Sequence, residues 1–516
     1  MLQYAHPILT CEESVELEKS LLNGKEAEWT AMNKAGRGLG RAVVDDYCEL
    51  AHPQSRSHRK PKILVLVGKG HNGGDALLAA NEITRIRPET EVFVLTPYEK
   101  KEMRTLTRRA YDALEQTGKC QTIPLLRVPS LTFDLCLDGL LGMQFKPPLR
   151  DNVMDLLRVL NEHPSIRCRV AVDLPSGIGD PNAFRADFTY ATGIVKSPAI
   201  DPDNASVVGR LRYLDIGFFS QLYSGPQIVG EEVLTPSVLD HWRAVRPAHS
   251  DKRSYGHLFI VAGSRSMPGA LLMNAMAALR SGVGLVTAFA PECVAAQFAA
   301  QLPEVMWVPW PETPDGGLAL EGWYLLRQKL PRATALLCGS GIGTEPETIK
   351  LIEEIVAEAP VPVVLDADAL QPSVVAVAEQ RNGLNGGVII TPHAGEFMRL
   401  TSSDSARYDR EALVWHAHKN GLVTVLKGPV TRVTDGKLVH TSTFGGPVLA
   451  RGGSGDLLSG LIGGLLAQIP DQPFRAASAG VVWHGQAADL LARERGAVSL
   501  TTTELVNFLS PVLRLM

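Results

Sequence analysis

Short apolar runs separated by helix-length stretches recur along this chain in two series, and that pattern leaves little choice of fold. The first series is residues 62–67, 91–95, 133–137 and 168–172. The second is 257–261, 284–288, 333–338, 361–365, 387–390 and 422–426. Strands that are apolar on both faces belong to parallel sheets covered by helices. Helices are expected over 12–50 (two of them), 75–86, 99–117, 269–281 and 345–357, with a glycine-led helix and two more completing the chain. At 516 residues the chain exceeds a single ordinary core. The pattern lapses between 220 and 251, a stretch of mixed polarity and no periodicity, so a boundary is placed near 225, giving domains 1–225 and 226–516. The expected class is α/β in two domains, and ligands of such sheets gather beyond the carboxyl ends of the strands.

Composition matters mainly for what it excludes. A formal charge of −4, with 45% apolar and 21% charged residues, offers no basic surface for nucleic acid and none for a membrane. The longest apolar stretch, 457–469, is short and glycine-rich, so it reads as a buried helix. The seven cysteines are scattered without a C-x-x-C pair. That pattern predicts reduced thiols in the cytoplasm rather than a zinc site or a disulfide framework, and the first residues show no secretory signal.

Two glycine-rich stretches carry the chemistry. Gly452-Gly453-Ser454-Gly455-Asp456 opens directly into an apolar helix. Bare amides at a helix N-terminus attract anions, because unpaired donors and the macrodipole point the same way. From these residues alone Asp456 is either a catalytic carboxylate beside a phosphate or a first-turn acid favoured by the dipole. The other stretch, Gly68-Lys69-Gly70-His71-Asn72-Gly73-Gly74-Asp75, follows the first strand and contains G-x-G-x-x-G. The acid expected to close the second strand of a dinucleotide fold is absent, since Glu91 opens that strand instead. No G-x-x-x-x-G-K-[ST] occurs, which excludes a P-loop kinase.

The first half resembles the amino-terminal NAD(P)H-hydrate epimerase (YjeF-type) domain over about residues 10–220. The carriers are the loop at 68–75, Asp138-Gly-Leu-Leu-Gly142, Asp173-Leu-Pro-Ser-Gly177, and Ala186-Asp187-Phe188-Thr189 with Lys196. The chain departs from the family pattern at His71, Ala76 and the residues before Lys196. The resemblance implies a Rossmann-like sheet with helices on both faces. It implies a substrate site formed by His71, Asn72, Gly73, Gly74 and Asp75 with Gly142, Met143, Gln144, Phe145, Lys146, Pro147 and Pro148. It implies a potassium ion at Asn72, Asp138 and Ser176, whose hard oxygens suit a monovalent cation beside a pyrophosphate. Asp173 and Lys196 are the expected proton-exchanging residues; for Lys196 a solvated lysine remains the alternative.

The second half resembles the ADP-dependent NAD(P)H-hydrate dehydratase, a ribokinase-like α/β domain, over about 240–510. The match runs through Val261-Ala-Gly-Ser264, Pro268-Gly269-Ala270, Gly339-Ser-Gly-Ile-Gly343, Asp366-Ala-Asp368, Thr391-Pro-His393-Ala-Gly-Glu396, Lys427-Gly428 and the glycine run at 452–456. Ser340 stands where proline is common. The resemblance implies substrate contacts from Gly343, His393 and Asp456, and nucleotide contacts from Lys427, Gly428, Pro429, Val430, Thr431, Gly453, Ser454 and Gly455. It also implies ADP as co-substrate, Mg2+ near Asp366 or Asp368, and Asp456 as the base in phosphoryl transfer to the hydrate hydroxyl.

The expected function is repair of hydrated NADH and NADPH, by epimerisation in the first domain and dehydration in the second, in a chain that associates with its own copies. Two alternatives stand: a ribokinase-type small-molecule kinase with a regulatory front domain, and a front domain that only binds.

Overall fold

The computed structural model describes residues 4–50, 60–219, 230–381, 387–401 and 410–515. The chain divides into two compact units, one of His6–Ile228 and one of Met1–Ala5 with Val229–Met516. The boundary expected near 225 lies outside the described residues.

In the first unit the sheet runs Cys120–Thr122, Glu91–Leu95, Lys62–Val67, Leu135–Gly139, Arg169–Val172, Phe188–Thr192 and Arg210–Leu214, with every neighbour parallel. Alternate side chains of one strand enter different cores, because successive residues point to opposite faces. Ile63, Val65 and Val67 pack with the helices Lys25–Tyr47, His71–Ile86 and Thr105–Glu115. Leu64 and Leu66 pack on the other face with Asp151–Glu162. Helices therefore cover both faces, as expected.

Three local expectations change. The helix expected at 75–86 begins at His71, so the glycine loop supplies its first turn. Glycine is a poor helix former, but at 73 and 74 packing requires it: a Cβ would lie 2.6 Å from Gly68 O and 2.9 Å from Met32 Sδ. The helix expected over 99–117 is a short 3-10 turn, Lys100–Glu102, and the helix Thr105–Glu115. Finally, Phe188–Thr192 and Arg210–Leu214 are strands with no apolar run to announce them. Their buried polar groups are paired instead, Tyr190 OH donating to Asp46 at 2.7 Å and Arg212 to the same carboxylate at 3.2 Å.

The second unit continues the same logic. Its strands lie in the order Met306–Trp310, Leu285–Pro291, His257–Val261, Ala335–Cys338, Val363–Leu365, Val388–Ile390 and Leu422–Leu426, all parallel. An antiparallel pair follows, Thr431–Thr434 and Val439–Ser442. Glu231–Leu234 then adds beside the last of these. That strand falls within the stretch that shows no periodicity, because its charge is buried: Glu231 accepts from Arg432 at 2.9 Å and from the Thr441 hydroxyl. Leu258 and Ile260 face the helices Pro268–Arg280, Ser454–Gln468 and Pro473–Arg495. Phe259 and Val261 face Trp323–Lys329, Pro346–Glu358 and Pro372–Glu379. Among the described residues no helix is long and apolar enough to cross a membrane.

The helix Ser454–Gln468 lies unusually close to Pro268–Arg280. A Cβ on Gly460 would come 2.3 Å from Asn274 O, and one on Gly464 2.2 Å from Ser281 Oγ. This approach sets the depth at which the 452–456 stretch sits. Gly460→Val should destabilise the second unit by about 1–3 kcal/mol through overpacking, read as a lower thermal midpoint by circular dichroism; an unchanged midpoint would refute the tight crossing.

Candidate functional site

The first site lies beyond the carboxyl ends of the parallel strands Lys62–Val67, Leu135–Gly139 and Arg169–Val172. It is a cavity of about 860 Å³. His71, Asn72 and Asp75 line it from the first turn of their helix, and the 142–148 loop lines it through Gly142 to Lys146 and Pro148. Gly73 and Gly74 do not: they are buried in the packing already described, and Pro147 is likewise absent from the wall.

Asp173 and Lys196 meet in this cavity. Lys196 Nζ donates to Asp173 Oδ1 at 2.5 Å, and its side chain is 1% exposed, so it is no solvated lysine. Asp173 adopts φ 66°, a left-handed conformation rare for a residue with a side chain. Such strain persists where the surroundings over-determine it, and here they do: the Asp173 amide donates to Tyr190 O at 2.9 Å, while the Thr192 amide donates to its Oδ1 at 3.3 Å. Two more carboxyls share the space. Burial pushes Asp75 well above the usual carboxylate range, with Asp173 and Glu18 adding to it, and Asp75 Oδ1 has no hydrogen-bond partner. Glu18, from the helix Cys11–Leu21, is raised to about 7 by burial, with Lys196 opposing and Asp173 reinforcing. No motif marks Glu18; only packing of its helix brings it here.

Asn72, Asp138 and Ser176 also converge. Asp138 is fully buried and accepts from Ser176 N at 2.7 Å, Ser176 Oγ at 2.6 Å and Leu140 N at 3.2 Å. Burial raises its carboxyl to about 6 despite these bonds, and no cationic side chain is among the causes. Asn72 donates through Nδ2 to Leu141 O at 2.6 Å, which leaves its Oδ1 available. A buried carboxylate lacking a countercharge, beside neutral oxygens, fits a monovalent cation.

The second site assembles at the ends of four adjacent strands, Ala335–Cys338, Val363–Leu365, Val388–Ile390 and Leu422–Leu426. Their sequels bring Ser340, Asp366, Thr391 and Lys427 side by side. Asp366 is buried and accepts from Thr391 Oγ1 at 2.6 Å, Ser340 Oγ at 3.0 Å and Lys427 Nζ at 3.1 Å. Burial alone would raise its carboxyl; the Lys427 charge and these donors hold it below the ordinary value. Burial likewise opposes the Lys427 charge, but Asp366, Glu396 and Asp456 hold its pKa above the ordinary value.

Gly453 begins the helix Ser454–Gln468 at φ 86°, a conformation that suits glycine, and carries no side-chain cap. The Ser454 amide turns back to Arg451 O at 3.3 Å. Gly455 and Asp456 have no intrahelical acceptor in the first turn. A Cβ at Gly455 would sit 3.4 Å from Lys427 Nζ, so that ammonium borders the helix end. Burial, reinforced by Asp366 and opposed by Lys427, raises the half-buried Asp456 carboxyl to about 6.

The remaining expected residues are placed as follows. Gly343 has φ 78°, and its amide donates to Asp368 Oδ2 at 2.9 Å, leaving the other oxygen for a ligand or a hydrated divalent ion. His393 is 59% exposed; its Nδ1 accepts from Gly395 N at 3.0 Å and Glu396 N at 3.3 Å, capping the helix Ala394–Thr401. Gly428 and Pro429 are exposed and Val430 half-buried in the turn before Thr431, whose hydroxyl donates to Gly428 O at 3.3 Å. Asn274 escaped notice in the sequence, being one polar residue in an apolar helix. It donates to Asp456 O at 2.8 Å.

Residues 258–511 match the NAD(P)H-hydrate dehydratase family model, and residues 30–197 match that of the YjeF-related protein N-terminus. The bifunctional NAD(P)H-hydrate repair enzyme Nnr of Gloeobacter violaceus is 34% identical over 518 residues, covering 96% of each chain. Its namesake from Moorella thermoacetica is 32% identical over 471 residues, covering 88% of this chain and 87% of that one. A solved structure, the ADP/ATP-dependent NAD(P)H-hydrate dehydratase from Bacillus subtilis co-crystallized with ATP/Mg2+, is 29% identical with a TM-score of 0.46, covering 56% of this chain and 99% of the other. The length of the match, across both units and both glycine-rich sites, shows that this chain belongs to the bifunctional NAD(P)H-hydrate repair enzymes.

Proposed function

We propose that the second unit dehydrates the S epimer of hydrated NADH and NADPH at the expense of ADP, and that the first interconverts the R and S epimers. The observation that carries this is Asp456: a half-buried carboxyl raised to about 6, in the first turn of a helix opened by bare amides and bordered by Lys427. Family membership favours this reading over a small-molecule kinase with a regulatory front unit.

Hydroxide is a poor leaving group, so the hydrate hydroxyl is first phosphorylated. Asp456 takes its proton as the oxygen attacks the terminal phosphorus of ADP, and the bond to AMP breaks. The amides at Gly455 and Asp456, with the Lys427 ammonium, offset the charge on the transferring group. Inorganic phosphate then leaves C6 and takes up the proton lost from C5, restoring the dihydronicotinamide. Asp368 and the nucleotide phosphates would hold Mg2+, which supplies charge neutralisation on those phosphates. Gly428 to Thr431 flank the nucleotide, and His393, fixed by its capping bonds, borders the substrate.

In the first unit C6 carries both the hydroxyl and the ring nitrogen. Protonating the hydroxyl lets it depart as water with help from the nitrogen lone pair, and water returning to the other face inverts the centre. The Asp173–Lys196 pair, hydrogen-bonded at 2.5 Å, gives a proton to the departing oxygen and takes one from the returning water. Asn72, Asp138 and Ser176 would hold potassium, which supplies positive charge beside the substrate pyrophosphate. We place the enzyme in the cytoplasm, in keeping with its scattered free cysteines, and assembled with its own copies.

Asp456→Asn should lower dehydration at least a hundredfold while ADP still binds; near-normal turnover would refute the base role. Because Asp456 must be ionised, wild-type kcat should fall as pH drops through about 6 and level off above it. Asp173→Asn should abolish R-epimer turnover, measured by chromatography of the two epimers, and leave dehydration of the S epimer intact. Exchanging potassium for sodium should slow epimerisation several-fold; equal rates in the two salts would remove the cation assignment. Parallel assays with ADP and ATP test the nucleotide.

A further inference from the structure

The geometry points to Asn274 and Ser340 as positioning residues that aim the Asp456 carboxylate and set its protonation, a role that rests on the dehydratase reading above. Asn274 is completely buried on the helix Pro268–Arg280, among Leu271, Ala275 and Ala278 of the apolar core. Its Nδ2 points at three acceptors: Asp456 O at 2.8 Å, Ser459 Oγ at 3.0 Å and Ser340 Oγ at 3.2 Å. The Ser459 hydroxyl donates to the same Asp456 carbonyl at 3.2 Å. The Asp456 helix is thereby tied to the neighbouring helix by the Asn274 amide, at Asp456 O and at Ser459, which fixes the axis about which the Asp456 side chain turns.

The other half of that amide is a burden. Asn274 Oδ1 is buried and has no hydrogen-bond partner. An unpartnered amide oxygen in a core is destabilising, and an apolar residue of similar size would avoid it. The cluster is thus built at the expense of stability directly behind the reacting carboxyl.

Ser340 is also completely buried and has one proton to give. Asn274 occupies its acceptor side, so the hydroxyl hydrogen is directed toward carboxylates. Asp366 Oδ2 lies 3.0 Å away and Ser459 Oγ 3.5 Å, and Ser340 also acts on the Asp456 carboxyl, favouring its charged form. While Asp456 is protonated, Ser340 serves Asp366. Once Asp456 is ionised, the hydroxyl can turn to it and favour the charged form. The charged groups facing Asp456 are Asp366 and Asp368 from the loop after Val363–Leu365, and Lys427 from the end of Leu422–Leu426. His484, on the helix Pro473–Arg495, lies beneath Ser454 and is kept neutral at neutral pH by burial.

The test uses the full chain as wild type, Ser340→Ala and Asn274→Ala. Dehydration of hydrated NADH with ADP is followed against pH, and the Asp456 carboxyl is titrated by carbon-13 NMR, its signal assigned by its loss in Asp456→Asn. In Ser340→Ala the Asp456 midpoint and the acid limb of kcat should both rise by about half a unit to one unit. That is about a three- to eightfold loss of kcat at pH 5.5, with KM unchanged and rates converging above pH 8. Asn274→Ala, which frees the Ser340 hydroxyl to rotate, should shift the same limb upward. A midpoint and limb at the wild-type pH in both variants overturns the inference, as does a loss of rate equal at every pH. If wild type fails to dehydrate the hydrate, the functional reading falls. The NMR midpoint needs no turnover, and still shows by itself whether Ser340 governs Asp456.

Discussion

A carboxylate buried at the end of a parallel strand is tolerable only if something answers its charge, and both sites of this protein are organised around that requirement. In the second unit Asp366 is answered by Lys427, Thr391 and Ser340, each arriving from a different strand end. In the first, Asp173 is answered by Lys196 and the Thr192 amide. Removing either lysine would strand a buried charge, which is far costlier than the net worth of the pair. These contacts tie together loops that are distant in sequence, so the catalytic surroundings are consequences of the sheet order.

The two sites use that support differently. Asp366 is held ionised below the ordinary carboxylate range, and its fixed negative charge helps raise Asp456 to about 6. One buried acid thus raises the proton affinity of its neighbour, the like-charge effect that separates neighbouring carboxyl groups. In the first unit the carboxyls of Glu18 and Asp75 are both raised by burial around the Asp173–Lys196 pair. Both therefore bind a proton more readily than an exposed carboxylate would.

Much of this was legible beforehand. The central parallel strands could be read because each is apolar on both faces, and glycine clusters could be read because a backbone must approach a phosphate or another chain segment. Among the elements that escaped are strands whose buried groups are charged. Glu231–Leu234 hides its strand character behind the Glu231–Arg432 pair, and Arg210–Leu214 behind Arg212 and Asp46. The glycines at 73 and 74 were legible as necessary, and the structure adds a packing reason: they admit Gly68 and Met32. Lys196 could not be told from a surface lysine, since burial is not a property of the residue.

The sequence by itself determined the α/β class, the glycine-opened helix and the identity of the carboxylates at the strand ends, because those follow from periodicity and from what a bare backbone permits. Only the tertiary structure decided which of those acids are charged and what holds them. Proton affinity depends on burial and on neighbours within a few ångströms, and for Asp456 those neighbours come from segments beginning some 90 to 180 residues earlier, at Asp366, Ser340 and Asn274.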